Sequence, residues 1–228
     1  METARAPKCR IAERSRAFST AALLAAGLAF GSRAAHAADA KPVDLARGGD
    51  VPVSPPPVET PYLQFGVAFT AELVAVPGPI CAASPCIFGS GGGVVVRAGR
   101  RAAGPWYFGA AYEMSKQDSG SLYRFATLQQ MRAEVRWYLN TGLDTYPYAV
   151  AGGGLAAYGN EWGVDTYGPA ALVGVGVETQ ISRRTVVGFT LSYKLIGLRS
   201  FFDSSDTERR GGVVQLFGLD IVLEERNP

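Results

Sequence analysis

Residues 185–196 read TVVGFTLSYKLI, and their side chains change character at every second position. The apolar positions are Val187, Phe189, Leu191, Tyr193 and Leu195, whereas Gly188, Thr190, Ser192 and Lys194 lie between them. An alternation with a period of two is typical of a β-strand whose two faces meet different surroundings. The stretch therefore predicts a strand with one apolar face and one small, polar face.

Seven further stretches show or approach the same alternation. They are residues 62–73, 93–101, 106–115, 130–139, 146–158, 168–178 and 213–223. The connections at 75–90, 116–121, 159–165 and 197–209 are longer or more polar, and those between them are short turns. Tilted strands of about 9–11 residues, joined in this way, are typical of a membrane barrel. The sequence predicts an all-β fold: an eight-stranded antiparallel up-and-down transmembrane β-barrel over residues 62–228.

The composition excludes two other classes of protein. Apolar residues make up 47% of the chain and aromatic residues 11%, which a disordered chain would lack. The best apolar run, residues 21–30, is only ten residues long. A membrane-spanning helix needs about 20 apolar residues, so a helical membrane protein is not expected.

The composition of the small, polar face indicates which face of the strands points into the barrel. It is rich in glycine, which suits the narrow interior of an eight-stranded barrel, and its acids and bases are nearly equal in number. Because buried charges have to be paired, we predict that this face lines the lumen. The predicted lumen ion pairs involve Arg97, Glu113, Arg132, Glu134, Arg136, Glu178, Lys194 and Asp220. Glu72 shares this face, and Arg124 is a further candidate base.

Arg132, Glu134 and Arg136 are spaced two apart on one predicted strand, so they share a face. An arginine that faces lipid near mid-bilayer costs about 2–4 kcal/mol, so we expect these arginines to point inward. Glu113 on the preceding strand is the expected partner. The alternative is that the three charges lie near an aqueous rim and contribute almost nothing to stability.

The apolar face is expected to contact lipid. Aromatic residues near strand ends form girdles at the two membrane interfaces of such barrels. The predicted girdle residues are Tyr62, Trp106, Trp137 and Tyr193. A soluble lipocalin-like barrel, with its apolar face around a ligand, is the inverted alternative.

The N-terminal region has the order of a secretory signal. A basic start is followed by an apolar segment at 17–30 and by Ala35-His36-Ala37, which fits a signal-peptidase site. We predict a signal peptide over residues 1–37; a short helix packed on a domain is the alternative. Residues 38–61 are rich in proline, which favours an extended polyproline II conformation, and are predicted to be a periplasmic leader.

Removal of the signal peptide changes the charge and the chemistry. Residues 1–37 carry six Lys/Arg and two Asp/Glu, so the remainder carries 16 basic and 18 acidic residues and a net charge of −2. A nucleic-acid partner therefore loses its electrostatic basis. The single His, His36, is lost as well, and with it a catalytic base. We expect no enzyme activity, no metal and no cofactor; carboxylates such as Glu113, Glu134 and Asp220 are better explained as lumen ion pairs than as an acid/base pair.

Two cysteines, Cys81 and Cys86, remain after cleavage, in a turn-rich segment. In an exported chain a disulfide is the expected state of such a pair. A metal site is one alternative, but no further Cys or His is available to complete four ligands, and two free thiols are the other.

Over residues 62–223 the alternating pattern resembles the eight-stranded outer-membrane barrels of Gram-negative bacteria, the OmpA/OmpX/OmpW-type group. The resemblance implies a location in the cell outer membrane, contact with outer-membrane lipid, and insertion by the outer-membrane assembly machinery. The last strand of that family usually ends with an aromatic residue. Residues 218–223, GLDIVL, keep the spacing with aliphatic residues instead.

Three functions are consistent with this sequence. The first is a non-enzymatic outer-membrane barrel with a charge-plugged lumen and a structural or surface-interaction role through its outer loops. The second is a small, porin-like pore or a conduit for apolar molecules, and the third is a soluble periplasmic lipocalin-like binder of a hydrophobic ligand. The sequence does not define an extracellular ligand.

Overall fold

A computed structural model of the chain describes residues 61–139, 145–182 and 184–227. The predicted signal peptide and residues 38–60 of the predicted leader lie outside these residues. The long strands are β1 (Tyr62–Val76), β2 (Gly91–Arg101), β3 (Trp106–Gln117), β4 (Ala126–Tyr138), β5 (Thr145–Asn160), β6 (Thr166–Gln180), β7 (Thr185–Leu198) and β10 (Gly212–Asn227). A small hairpin, β8 (Phe201–Phe202) and β9 (Glu208–Arg209), and one 3₁₀ turn (Pro79–Cys81) lie between them.

The long strands form a closed barrel in the order β1-β10-β7-β6-β5-β4-β3-β2. Each pairs antiparallel with its sequence neighbour, and β1 closes the barrel on β10, with Phe69 opposite Ile221. The prediction of an eight-stranded up-and-down barrel is therefore confirmed. Among the described residues, no helix is long and apolar enough to cross a membrane.

The barrel has two different ends. Four connections, three of them long, share one end: the first outer loop (residues 77–90), the second (118–125), the third, which is short (161–165), and the fourth (199–211). The short turns share the other end with the start of β1 and the end of β10. In outer-membrane barrels the short turns are periplasmic, so the long-loop end is the outer end.

The two faces of the strands are buried to opposite extents. Phe69, on the apolar face, is 67% exposed on the outside of the barrel, whereas Lys194, on the polar face, is fully buried inside it. Gly154 shows how closely β4 and β5 approach each other, because an added Cβ there would collide with the Met131 carbonyl oxygen of the neighbouring strand. A lipocalin-like barrel would place these faces the other way round, so the soluble alternative is not favoured.

The structure extends several predicted strands. β4 begins at Ala126 rather than at residue 130, and β10 continues to Asn227 rather than ending at residue 223. The extension of β10 occurs because Glu224 still pairs with Gly66 on β1 and with Val186 on β7. The β8–β9 hairpin lies in a segment predicted to be a loop, since strands of two residues are too short to show a period.

Candidate functional site

Charged side chains fill much of the barrel interior, and we call the following set the ionic network. Its acids are Glu72, Glu113, Glu134, Glu178, Asp220 and Glu224, and its bases are Arg97, Arg101, Arg132, Arg136, Lys194 and Arg226. They reach the lumen because they occupy the inward-facing positions of their strands, two residues apart. The six acids and six bases balance one another.

The outer half of the network is centred on Lys194. Its Nζ donates to Glu72 Oε1 at 2.8 Å and also to Glu113. The other oxygen of Glu113 accepts a hydrogen bond of 2.6 Å from Arg132, whose Nε donates to Glu134 at 2.8 Å. Gln117 completes the shell of Glu72 through a hydrogen bond of 2.6 Å. Each of these carboxylates therefore contacts a base.

The periplasmic half of the network is centred on Arg136. Its guanidinium donates to both oxygens of Glu224, at 2.8 and 3.0 Å, and lies 4.7 Å from the ring centroid of Tyr107. Arg97 donates to Asp220 at 3.0 Å. The bidentate pairing of Arg136 with Glu224 fixes the geometry of both side chains.

At the short-turn end, Glu178 connects three inward-facing groups. It accepts a hydrogen bond of 2.9 Å from the Tyr138 hydroxyl and another from Arg226. The Arg101 guanidinium lies 3.6 Å from Glu178 and stacks over the Tyr138 ring at 3.7 Å. The network thus continues from the outer half of the barrel to its periplasmic rim.

The network packs around a small cavity. A cavity of about 10 Å³ lies between Arg97, Arg132, Glu134 and Asp220, which is room for one water molecule. Several buried polar atoms at this place have no protein partner, including Arg132 Nη2 and Asp220 Oδ1. A bound water there would satisfy them. The carboxylates considered as an acid/base pair, Glu113, Glu134 and Asp220, each contact a base of the network.

The outer mouth of the barrel is filled by apolar side chains, which we call the apolar plug. Its loop residues are Ile80, Ile87 and Phe88 of the first outer loop, Tyr123 of the second and Phe201 of the fourth. They pack on inward-facing strand residues, among them Leu128, Tyr158, Ile196, Leu198, Val214 and Leu216. The first outer loop therefore folds back into the barrel rather than extending away from it.

Specific contacts hold the first outer loop in place. The Phe88 and Tyr158 rings stack with centroids 4.6 Å apart, and the Tyr158 hydroxyl donates to the Ile87 carbonyl oxygen. A disulfide joins Cys81 and Cys86, as predicted. The loop is thus anchored to the barrel through its apolar side chains and its backbone, and the disulfide closes a turn within the loop itself.

A buried arginine of the fourth outer loop also binds the disulfide-closed turn. Arg209 donates to the carbonyl oxygens of Ala83 and Pro85 between the two cysteines, and its Nε lies 2.7 Å from Asp203 Oδ2. Burial alone would raise the pKa of Asp203, but hydrogen bonds from Ser205, Arg209 and the Thr207 backbone lower it to about 2. Asp203 therefore stays ionised and holds Arg209 in position.

All eight predicted lumen residues lie inside the barrel and contact one another, directly or through shared partners. Glu134 is buried in the middle of the network and not at an aqueous rim. Arg124 is different: its side chain is 88% exposed and faces Glu161 at 3.6 Å on the outer loops. The prediction that Arg124 faces the lumen is wrong, because it belongs to a loop and not to a strand.

Sequence reasoning missed three members of the network. Arg101 and Glu224 each lie at the end of a strand in inward-facing register, two residues beyond Gly99 and Val222. Arg226 follows Glu224 by two further residues. The predicted strand 93–101 already included Arg101 in the inward-facing phase, and the same spacing of two would have identified Glu224 and Arg226 had the last strand been extended to its true end.

The predicted aromatic girdle divides into two groups. Trp106 and Trp137 are opposite each other on β3 and β4 and face outward at the short-turn end. Tyr193 faces outward in the outer half, packs on Phe217 and donates to Gln215, the polar residue on the apolar face of β10. Tyr62 pairs with inward-facing Arg101, so its assignment to the outward girdle is wrong.

A metal centre has no support in the part of the chain that the structure describes. There, no group of three or more His, Cys, Asp and Glu side chains is arranged to hold a metal ion. Cys81 and Cys86 are bonded to each other.

Comparisons with known proteins identify the fold. No family model matches the sequence, and no curated protein matches it either. The crystal structure of Neisserial surface protein A (NspA) matches at a TM-score of 0.52 and 16% identity, covering 72% of this chain and 96% of that chain. The outer membrane protein OprG from Pseudomonas aeruginosa matches at a TM-score of 0.47 and 11% identity, covering 74% and 96%. The outer membrane protein AlkL matches at a TM-score of 0.47 and 9% identity, covering 79% and 97%.

The fold and the interior together define the class of protein. The chain is a closed eight-stranded β-barrel that shares the fold of a small outer-membrane barrel, with an apolar outer surface and its charges inside. Only a closed barrel or a helix satisfies every backbone polar group in lipid, and this barrel is closed. A closed barrel with an apolar outer surface is what a strand-built membrane protein requires, and this agrees with the sequence-based prediction of an outer-membrane location.

Proposed function

We propose that this protein is a non-enzymatic, non-conducting outer-membrane barrel that acts as a structural or surface-interaction protein through its outer loops. The observation that carries the proposal is the double closure of the lumen. The ionic network fills the middle and the periplasmic half, and the apolar plug fills the outer mouth. Lipid surrounds the barrel, and the outer-membrane assembly machinery inserts it.

The outer loops support an interaction role because they expose side chains that binding surfaces favour. Trp162 is 78% exposed and Phe202 is 65% exposed. A cleft of about 280 Å³ lies between Trp162, Phe125, Arg124 and Met114. Tryptophan and arginine are enriched among residues that dominate binding energy.

A conduit for apolar molecules is the second candidate, and one observation favours it. The outer half of the interior is lined by Leu128, Ile196 and Leu216, which would suit an apolar passenger. Ile80, Ile87 and Phe88 occupy that space, so transport would require the first outer loop to leave the barrel. The non-conducting role needs no such movement.

Conductance in planar lipid bilayers tests the proposal. We expect the wild-type protein, shown by heat-modifiable migration on a gel to be folded, to produce no discrete current steps. A variant with residues 79–88 replaced by a Gly-Ser linker and with Arg132→Ser and Arg136→Ser serves as the opened control and should conduct. Discrete steps from the wild-type protein would contradict a closed lumen.

Uptake of an apolar dye into vesicles that contain the protein tests the second candidate. No uptake above that of protein-free vesicles is expected. Uptake that is abolished when the first outer loop is cross-linked to the barrel wall would favour the conduit instead.

A further inference from the structure

The cleft of about 280 Å³ between the second and third outer loops, which we call the rim cleft, lies on the outside of the barrel at its outer end. Its walls come from Met114 of β3, from Arg124 and Phe125 of the second outer loop and from Glu161 and Trp162 of the third. Met114 belongs to the apolar, outward face of β3. The rim cleft therefore joins the lipid-facing surface of the barrel to its outer loops.

The position of the rim cleft along β3 matches the level at which outer-leaflet headgroups begin. Trp106 faces outward at the short-turn end of β3. Lys116 follows Trp106 by ten positions on the same strand, and tilted strands of about 9–11 residues cross the bilayer. Lys116 therefore lies at the outer interface, and Met114 lies just inside it, beside the acyl chains.

The basic side chains at the rim cleft are free to bind an anion. Lys116 Nζ lies 5.3 Å from the centroid of the Phe125 ring, and within the described part of the chain Lys116 forms no ion pair with an acid. The Arg124 side chain is 88% exposed, and its contact with Glu161 at 3.6 Å is a surface ion pair, which contributes little. Asp118, in the neighbouring cleft, accepts a hydrogen bond of 3.0 Å from a backbone amide of its own loop. Two bases and one acid leave the rim cleft with a net positive charge.

The apolar walls of the rim cleft require a second property of its ligand. Trp162 is 78% exposed and Phe125 is 40% exposed. A ligand that covers these rings and Met114 has to offer an apolar chain, and the same ligand has to offer an anionic group to the two bases. A phosphate monoester carries nearly two negative charges at pH 7, and both arginine and lysine bind phosphate oxygens. A lipid with such a headgroup combines the two properties at the depth where the rim cleft lies.

We propose that the rim cleft binds an outer-leaflet lipid whose headgroup carries a phosphate monoester. The phosphate lies between Lys116 and Arg124, and an acyl chain runs past Phe125 along Met114. The proposal rests on the surface-interaction role proposed above and gives the chemistry of one partner of the outer loops.

Quenching of Trp162 fluorescence by brominated lipids tests this binding in the mature full-length protein, embedded in phosphatidylcholine vesicles. Trp106→Phe with Trp137→Phe leaves Trp162 as the single tryptophan of the chain. Phosphatidic acid supplies the phosphate monoester, and its brominated form is compared with brominated phosphatidylcholine at equal content. We expect phosphatidic acid to be enriched beside Trp162 about fivefold, the order expected for one base close to an anionic lipid.

Matched variants separate a site from general attraction to the barrel. Lys116→Gln with Arg124→Gln should abolish the enrichment. Arg100→Gln is the control, because it removes an exposed base from the outward face of β2 at the short-turn end, and it should leave the enrichment unchanged. Equal quenching by the two lipids would overturn the proposal, and so would an enrichment that survives the loss of both Lys116 and Arg124.

A soluble competitor distinguishes a lipid from a free phosphate compound. Glycerol phosphate should not displace brominated phosphatidic acid more than chloride of the same ionic strength does. Specific displacement would assign the rim cleft to a soluble phosphate compound and overturn the proposal. The quenching reports on the rim cleft whether or not the lumen conducts, so its failure is distinguishable from failure of the closed-lumen proposal.

Discussion

The two halves of the barrel interior are filled in different ways. The ionic network is made from strand residues whose positions are fixed by backbone hydrogen bonds of the closed sheet. The apolar plug depends on residues of the outer loops, which fold back onto apolar residues of the strands. The strand-borne half cannot rearrange without opening the barrel, whereas the loop-borne half can separate from it locally.

The cost of disturbing each half follows from this difference. Removing one member of a buried ion pair leaves its partner charged and unpaired, at about 3–5 kcal/mol. Removing an apolar side chain from the plug loses contacts, but the loop can release by local opening while the barrel stays intact. We therefore expect variants of the ionic network to change the stability of the whole barrel. Variants of the apolar plug should change how well the first outer loop is protected from proteolysis.

The largest effect is expected at the centre of the periplasmic half of the network. Arg136→Ala should lower the free energy of unfolding by about 3–5 kcal/mol, because Glu224 loses its bidentate base and keeps only the Gln64 amide and a longer contact with Arg97 at 3.8 Å. Denaturant unfolding in detergent micelles, followed by heat-modifiable migration on gels, measures the change. Val135→Ala, on the outward face of the same strand, is the control and should have a much smaller effect. Equal losses of unfolding free energy in Arg136→Ala and Val135→Ala would show that the buried ion pair stabilises the barrel no more than an outward-facing side chain does.

A second network variant sharpens the comparison. Glu134→Ala should also destabilise clearly, since Arg132 loses a hydrogen bond of 2.8 Å. It should cost less than Arg136→Ala, because Arg132 keeps its contact with Glu113. The same unfolding assay applies, and the reverse ordering would show that the periplasmic half is the less important one.

The plug should respond locally. Phe88→Ala removes the ring that stacks on Tyr158 and should cost about 3–5 kcal/mol of loop docking, as for a buried phenylalanine. We expect faster proteolysis within the first outer loop and little change in barrel unfolding. Phe202→Ala, an exposed aromatic residue on the fourth outer loop, is the matched control and should leave proteolysis unchanged. A loss of barrel stability as large as that of Arg136→Ala would make the plug part of the barrel core.

Removal of the disulfide should have a smaller effect. Closing a turn with a sequence separation of five residues is worth at most about 2 kcal/mol of chain entropy, and that term belongs to the loop. Cys81→Ser with Cys86→Ser should therefore increase proteolysis of the first outer loop without a clear change in barrel unfolding. Mass spectrometry of the wild-type protein after alkylation should show both thiols only after reduction; free thiols in exported protein would refute the bond.

The smallest effect is expected when the pH is lowered. The pKa of Asp203 is lowered, so its ionised form stabilises loop docking above the ordinary aspartate pKa, and this contribution is lost as the pH falls towards about 2. Pepsin digestion of the first outer loop should accelerate below about pH 4 more than the activity of pepsin on a reference substrate does. Asp203→Asn is the control and should show no such additional acceleration. A wild-type loop that stays equally protected down to pH 2 would remove Asp203 from the docking contacts.

Much of this protein was predictable because a period of two is a local property. The alternation in residues such as 185–196 identified the strands, their two faces and the eight proposed lumen residues before any contact was known. It also separated Arg132 and Arg136 from the lipid-facing Val135. Errors arose where the pattern was cut short, as at Glu224, or applied outside a strand, as at Arg124.

By itself, then, the sequence determined which side chains face inward, since that depends only on position along each strand. Only the tertiary structure decided which of them pair, because Arg97 and Asp220 meet through barrel closure although 123 positions separate them. The tertiary structure also decided that the first outer loop folds into the barrel and that Arg209 binds its turn. Loop residues have no period, and their positions follow from the apolar space that eight particular strands leave open at one end.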